Sequence, residues 1–260
     1  MNASSSEPHA PEYLALPNNV KIAYHLRPGR QPGIVFLGGF MSDMTGTKAL
    51  ALEEFAVARG QAFLRFDYQG HGASSGAFQE GTIGQWANDA VAVIDALTEG
   101  PQILVGSSMG GWIMMLAALA RPARVAGLVG IAAAPDFTED LMWPAFTPEI
   151  RQTLERDGVY FAPSDYGDAP YAITLQLITD GRAHLLLRAP LNIPVPVRLL
   201  QGMCDPDVPY QHAFKIIEAL QEGNVEAVFI KDGDHRLSRD RDLALLTRTV
   251  AALSAEIEAA

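Results

Sequence analysis

A serine hydroxyl is a poor nucleophile at neutral pH until a base within hydrogen-bond reach takes its proton. This chain holds the three residue types that solve the problem, spread over more than a hundred positions: Ser108, the aspartates Asp205 and Asp207, and His235. In that set His235 would accept the Ser108 proton and later deliver it to a leaving group. An aspartate would hold the imidazole in the right tautomer and stabilise the imidazolium. Such a set would perform acyl transfer through a covalent acyl-enzyme.

Ser108 sits in Gly106-Ser107-Ser108-Met109-Gly110, the spacing of a nucleophile elbow. An apolar run, Ile103-Leu104-Val105, precedes it, and an almost wholly apolar helical pattern follows to Ala120. Strand, sharp turn and helix would lift Ser108 off the sheet edge. The glycines would allow backbone to approach backbone there. The N–H of Met109, at the helix start, and that of Phe40, after Gly38-Gly39, are the expected donors to a tetrahedral oxyanion. The pentapeptide alone is weak evidence, because a serine capping a helix beside small residues reads the same way.

The rivals separate on position. Ser107 adjoins Ser108, but the elbow spacing selects Ser108. Asp205 stands in the first turn after a strand pattern and is preferred to Asp207, which reads as a loop or capping residue. His9 lies in the N-terminal tail, His25 in an edge hairpin and His184 in an irregular stretch. His71 precedes the nucleophile, and His212 is too close to the acid to approach from a separate loop. Asp67, ahead of Gly70-His71-Gly72, reads as a loop organiser.

These residues need a scaffold that brings distant loops to one edge. Residues 13–16 and 20–26 alternate as an edge hairpin. Buried-strand patterns at 33–37, 61–66, 103–105 and 125–132 alternate with helical patterns at 47–59, 83–97 and 112–120. Val91, Ile94 and Leu97 are the candidate core stripe of the second helix. That alternation predicts a parallel sheet with right-handed crossovers. It breaks from Pro135 to about Leu191, where prolines, aromatics and short helical patterns predict an inserted lid. It resumes with strands at 197–200 and 225–230, a helix at 210–220 and a final helix from about 240. The expected division is a disordered tail, 1–11, a core of 12–134 and 192–260, and a lid at 135–191. Ligands bind outside the carboxyl ends of such strands, and Phe40, Ser108, Asp205 and His235 each follow one.

The chain has 260 residues and a formal net charge of −11. The acidic balance argues against nucleic acid as a partner. No apolar stretch is long enough to span a bilayer. Cys204 stands alone, which excludes an intrachain disulfide and suggests a reducing compartment. With one cysteine and scattered histidines there is no zinc-ligand cluster, so neither metal nor cofactor is expected. The N-terminus lacks a basic and an apolar region, so it is not a secretory signal.

The motifs together resemble the α/β-hydrolase superfamily from about residue 12 to the end, in which the triad order is Ser, Asp, His. They are Gly38-Gly39-Phe40, Asp67-x-x-Gly70-x-Gly72-x-Ser74, Gly106-x-Ser108-x-Gly110, Gly202-x-x-Asp205-x-x-Val208-Pro209 and Gly233-Asp234-His235. The usual His-Gly of the oxyanion loop is Gly38-Gly39 here. The segments 39–50, 100–112 and 234–236 are similar to the α/β-hydrolase domain-containing protein 10 group. That group is known for mitochondrial palmitoyl-protein thioesterase and acyl-glucuronide esterase activity. The resemblance implies an esterase or thioesterase acting on small acyl esters or thioesters, or on an acylated protein. No transit peptide is evident, so the expected location is cytoplasmic. Gly39, Met142, Trp143 and Phe146 are the expected acyl-binding residues; Arg151, Arg156, Arg182 and Arg188 could reach a substrate carboxylate, but solvated helix surface is the favoured reading for them. The same triad also serves C–C hydrolases, haloperoxidase-like enzymes and acyltransferases, and the same fold serves non-catalytic receptors. A nucleotide-binding protein is the remaining alternative, and no phosphate-binding glycine motif supports it.

Overall fold

The computed structural model describes residues 10–163, 170–221 and 223–259. The expected tail, apart from its last two residues, therefore lies outside the described residues, with His9, and so does Tyr166 of the expected lid.

The chain opens with β1 (Glu12–Ala15) and β2 (Lys21–Arg27), an antiparallel hairpin. Its turn holds Asn18 and Asn19 at φ 60° and 61°, a left-handed conformation that asparagine tolerates better than most residues. Strands and helices then alternate: β3 (Arg30–Leu37), α1 (Thr47–Ala58), β4 (Gln61–Phe66), α2 (Ile83–Leu97), β5 (Gln102–Ser107), α3 (Met109–Ala120) and β6 (Val125–Ile131). An excursion follows. It contains a π-helical turn at Thr138–Met142, α4 (Trp143–Ala145), α5 (Pro148–Asp157), the strands β7 (Val159–Ala162) and β8 (Tyr171–Thr174), and α6 (Leu175–Ala183). The alternation closes with β9 (Val197–Gly202), α7 (Gln211–Ala219), β10 (Val225–Ile230) and α8 (Asp240–Ala259).

The main sheet runs β1-β2-β4-β3-β5-β6-β9-β10. Neighbours from β4 to β10 are parallel, and β2 joins β4 antiparallel. The chain leaves β3 in one direction to reach β4, then returns past β3 to β5. The order therefore reverses between β3 and β5, and a crevice opens at their carboxyl ends, where open α/β sheets bind ligands. Phe40 and Ser108 follow those two strands.

The strand period of two divides the core between the faces of the sheet. Ile34, Phe36, Ile103 and Val105 point to one face, against Ala49, Leu52 and Ala56 of α1 and Leu246, Val250 and Leu253 of α8. Val35, Leu37 and Leu104 point to the other, against α2, α3 and α7. α3 is buried almost all round, as its unbroken apolar run requires. The core stripe of α2 differs from the expected one: Trp86, Ala90, Val93 and Ile94 are buried, while Val91 and Leu97 are half-buried. The 3.6-residue period continues from Ile83 through Trp86 and Ala90, which the Val91-Ile94-Leu97 spacing overlooked.

The excursion holds the expected short helical elements and adds a strand pair that was not expected. β7 and β8 form an antiparallel hairpin with Tyr160 opposite Ile173. Both strands are short runs rich in β-branched and aromatic residues, which a helical pattern does not need. Ala172 and Ile173 are buried.

Candidate active site

The nucleophile elbow has the strain its role requires. Ser108 sits at φ 54°, ψ −118° between β5 and α3, a region a non-glycine residue occupies only when its surroundings over-determine it. Its N–H donates to the Ile131 carbonyl at 2.9 Å. Its own carbonyl accepts from the N–H groups of Gly111 and Ala134, at 2.8 and 3.0 Å. The flanking glycines are fixed by close backbone approach. A Cβ on Gly106 would stand 2.3 Å from the Gly110 carbonyl oxygen, and one on Gly110 would stand 2.1 Å from that of Leu37.

His235, on the loop after β10, reaches both of its expected partners. Its Nε2 lies 3.1 Å from Ser108 Oγ and its Nδ1 lies 2.9 Å from Asp205 Oδ2. A carboxylate at Nδ1 keeps the proton there, so Nε2 is free to accept from the serine hydroxyl. The Asp205 side chain is fully buried and that of His235 is 17% exposed. The acid is held on every side: Oδ1 accepts from the N–H groups of Asp207 and Val208 at 2.9 and 2.8 Å, and Oδ2 also accepts from Gln201 Nε2 at 3.2 Å. Asp207 is exposed. Asp205, Asp207 and His235 could each offer a metal-ligand atom within 4.8 Å of the others. Both Asp205 oxygens and His235 Nδ1 are already occupied by these hydrogen bonds, so this donor set fits a serine–histidine–aspartate chain better than a metal centre.

The two backbone N–H groups expected to serve an oxyanion are not used within the fold. Among the described residues, neither the Phe40 nor the Met109 N–H donates to another protein group. That of Met109 is an orphan of the first turn of α3. Gly39 packs tightly on the elbow, its Cβ position 3.4 Å from the Ser107 carbonyl oxygen and 3.5 Å from Ser108 Cβ. The Phe40 ring is anchored by Phe78, Trp86 and Phe137, at centroid distances of 4.9, 6.1 and 5.9 Å. Asp67 ties the neighbouring loops together, accepting from the N–H groups of Met44 and Ala73 at 2.6 and 2.8 Å. Burial raises its pKa, against the pull of those two N–H groups.

Ser108 and His235 open into a cavity of about 730 Å³. Gly39, Phe40, Phe137, Leu141, Met142, Phe146 and Tyr171 line it, together with Lys48 and Arg236. Of the expected acyl-binding residues, Gly39, Met142 and Phe146 reach this space. Trp143 does not line it. Its ring is covered instead by the guanidinium groups of Arg151 and Arg182, at 5.1 and 4.6 Å. The arginines of the excursion do not face the cavity either, in line with the favoured reading that gave them no substrate role. Arg182 pairs with Glu139, Arg188 with Asp136 and Asp140, and Arg156 with Asp157, and none of the four lines the cavity.

The other histidines are engaged elsewhere. His212 Nε2 donates to the Pro135 carbonyl at 2.7 Å, and burial lowers its pKa. His71 is boxed by Tyr68, Phe78 and Trp86 at 5.5, 5.1 and 5.0 Å, and burial pushes it down to about 4. Two residues of the site had no motif to announce them. Gln201 orients the acid, and Leu141 joins the cavity wall. Both are common residue types whose roles come from where β9 and the excursion happen to run.

The model of the alpha/beta hydrolase family matches residues 34–247. The chain is 42% identical over 241 residues to the Bos taurus palmitoyl-protein thioesterase ABHD10, mitochondrial, covering 92% of this chain and 78% of that one. A solved structure of alpha/beta hydrolase domain-containing protein 10 from mouse superposes with a TM-score of 0.88 at 38% identity, over 96% of this chain and all of that one (100%). A crystal structure from Agrobacterium vitis S4 superposes with a TM-score of 0.90 at 42% identity, over 95% and 98% of the two chains. The relatives overturn the expected cytoplasmic location, because the names of the bovine protein and its human counterpart place them in the mitochondrion. The lack of an evident transit peptide was too weak a signal to set against that. With the elbow, the sheet order and these likenesses in hand, the chain belongs to the alpha/beta hydrolase family.

Proposed function

We propose that the chain cleaves carboxylic esters or thioesters through an acyl-enzyme on Ser108. The observation that carries this reading is the continuous hydrogen-bonded chain from Ser108 Oγ through His235 to Asp205, opening into a cavity with an apolar wall. His235 Nε2 takes the Ser108 proton as Oγ attacks the acyl carbon. The tetrahedral oxyanion accepts from the N–H groups of Phe40 and Met109. The same imidazole then protonates the leaving oxygen or sulfur, and the acyl group stays on Ser108. Water, deprotonated by His235, releases the acid and restores the serine.

The palmitoyl-protein thioesterase names of the bovine and human relatives support an acyl thioester as substrate, including one carried by a protein. The acyl chain lies along Phe137, Leu141, Met142 and Phe146. Residues 135–191 act as a lid over a core formed by 12–134 and 192–260, because four of its side chains supply that wall. No helix among the described residues is long and apolar enough to cross a membrane.

The test is a matched series of acyl oxyesters and thioesters from short to long chains, with Ser108→Ala as the blank, alongside labelling by an organophosphonate. Stoichiometric labelling that disappears in Ser108→Ala is the expected result. Turnover that survives Ser108→Ala would remove Ser108 from the mechanism. Labelling without any turnover would favour a receptor on this fold.

A further inference from the structure

Asp136 stands at the start of the excursion between β6 and β9, at φ 60° and with none of its surface exposed. It takes no part in the acyl-transfer steps above. Its carboxylate reaches the other end of the excursion instead. Oδ1 accepts from the Leu186 N–H at 2.7 Å and Oδ2 from the Leu187 N–H at 2.8 Å, fifty and fifty-one residues further on. Arg188 Nη1 lies 3.4 Å from Oδ2. A buried carboxylate is costly unless its oxygens are filled, and here segment 186–188 fills both.

The residues around this strap are anchored to the core. The Ala134 N–H donates to the Ser108 carbonyl at 3.0 Å, and the Pro135 carbonyl accepts from His212 Nε2 at 2.7 Å. At the far end the His184 carbonyl accepts from Trp112 Nε1 at 3.0 Å. The elbow, α7 and α3 therefore hold the two ends in place, and Asp136 holds the ends to each other.

The acyl-binding wall begins at the next residue. The Asp136 carbonyl accepts from the N–H groups of Glu139 and Asp140 at 3.0 and 2.8 Å, and so starts the π-helical turn at Thr138–Met142. Such turns are rare and occur mostly at functional sites. The Phe137 ring packs at 5.7 Å from Trp112 and 5.9 Å from Phe40. Leu141 and Met142 lie one turn on, and all three side chains line the cavity. Asp136 itself does not line it.

We infer that Asp136 is a positioning residue for acyl-chain selectivity: by strapping the two ends of the excursion together it fixes where Phe137, Leu141 and Met142 meet the acyl chain. The inference rests on the ester- and thioester-cleaving reading above and names the residue that sets its chain-length preference. An amide at this position keeps one oxygen for one of the two N–H groups and turns its own N–H towards the other. Asp136→Asn therefore opens the strap at nearly constant volume.

The experiment measures kcat/KM for two pairs of substrates, S-octanoyl- and S-acetyl-N-acetylcysteamine, and p-nitrophenyl octanoate and acetate. The rate at which a small organophosphonate labels Ser108 is followed alongside. In Asp136→Asn the octanoyl-to-acetyl ratio is expected to fall about tenfold, equivalent to losing the contact of about two methylene groups, mainly through the octanoyl KM. The labelling rate is expected to stay at the wild-type value, because the triad is untouched. A variant that merely folds poorly would lower both members of a pair together and leave the ratio unchanged. Glu139→Gln, which breaks the pair with Arg182 in the same excursion, is expected to keep the wild-type ratio. Where Asp136→Asn yields no folded protein, Arg188→Met decides. Its side chain is exposed, so the fold tolerates the change, and the ratio is expected to fall about threefold as the strap loses its outer cation. An unchanged ratio in the deciding variant, or an equal fall in Glu139→Gln, overturns the role of Asp136 while leaving the hydrolase reading intact. Cleavage of the acetyl members alone by the wild-type protein overturns the acyl wall and the strap with it. No cleavage of any of the four overturns the ester- and thioester-cleaving reading itself.

Discussion

Ser108 carries strain and His235 carries direction. The serine is held at positive φ by three backbone hydrogen bonds, and the histidine is oriented by a carboxylate that itself accepts from three other donors. Replacing Ser108 or His235 by alanine is expected to lower kcat by about 10⁴-fold or more with the circular dichroism spectrum unchanged, since removing either member disables the same step. Asp205→Asn is expected to cost about 10⁴-fold in kcat, because the amide cannot hold the imidazole proton at Nδ1. Asp207→Asn, on an exposed side chain, is expected to stay within about threefold of the wild-type rate, in keeping with a surface position. A large loss at Asp207 and a small one at Asp205 would reverse the assignment of the acid.

At the scale of elements, the crossing of β3, β5 and α3 leaves no room for a methyl group. Gly110→Ala drives a Cβ into the Leu37 carbonyl, and the expected loss is about 3 kcal/mol or more, read as a fall in Tm. The loop after β4 and the start of α2 impose a second condition, on pH. His71 is held neutral by burial and titrates at about 4 in the folded protein, below its ordinary value of 6.5. The unfolded chain therefore binds a proton that the folded one refuses as pH falls from 6.5 towards 4. The stability of the folded state is complete above that window and declines through it, by about 3 kcal/mol at the acid end. His71→Phe is expected to flatten the acid side of the Tm profile between pH 6.5 and 4. An unchanged slope would show that other groups govern it.

At the scale of the whole molecule, Ser108, Asp205 and His235 stand on loops of the main sheet, and the excursion between β6 and β9 supplies the apolar cavity wall. Phe146 is half-buried and lines the cavity from the excursion. Phe146→Ala is therefore expected to raise KM for long-chain acyl esters about tenfold or less, following the apolar area removed from contact, and to leave short-chain esters nearly unaffected. Equal losses at both chain lengths would place the acyl chain elsewhere. The sheet order explains why one cavity can gather these groups. β3, β5, β9 and β10 run parallel, and their carboxyl ends open on the same edge, so loops 127 residues apart in the chain meet at a hydrogen bond.

The sequence by itself determined the order of elements and the candidates for chemistry, because both are written locally. Strand and helix periods follow from which side chains must face a core, and the elbow follows from glycines that backbone contact demands at 106 and 110. Ser108, Asp205 and His235 were legible because each occupies the first turns after a strand pattern. The tertiary structure decided what depends on distant segments meeting. It removed Trp143 from the cavity by placing it beneath Arg151 and Arg182, paired Arg156, Arg182 and Arg188 with carboxylates of the same excursion, and added a β7–β8 hairpin to its short helices. It also brought Lys48 against the residue after His235, 188 positions away. None of these has a local signature: a side chain's partner across the fold is set by how whole elements pack, and that information is distributed over the entire chain.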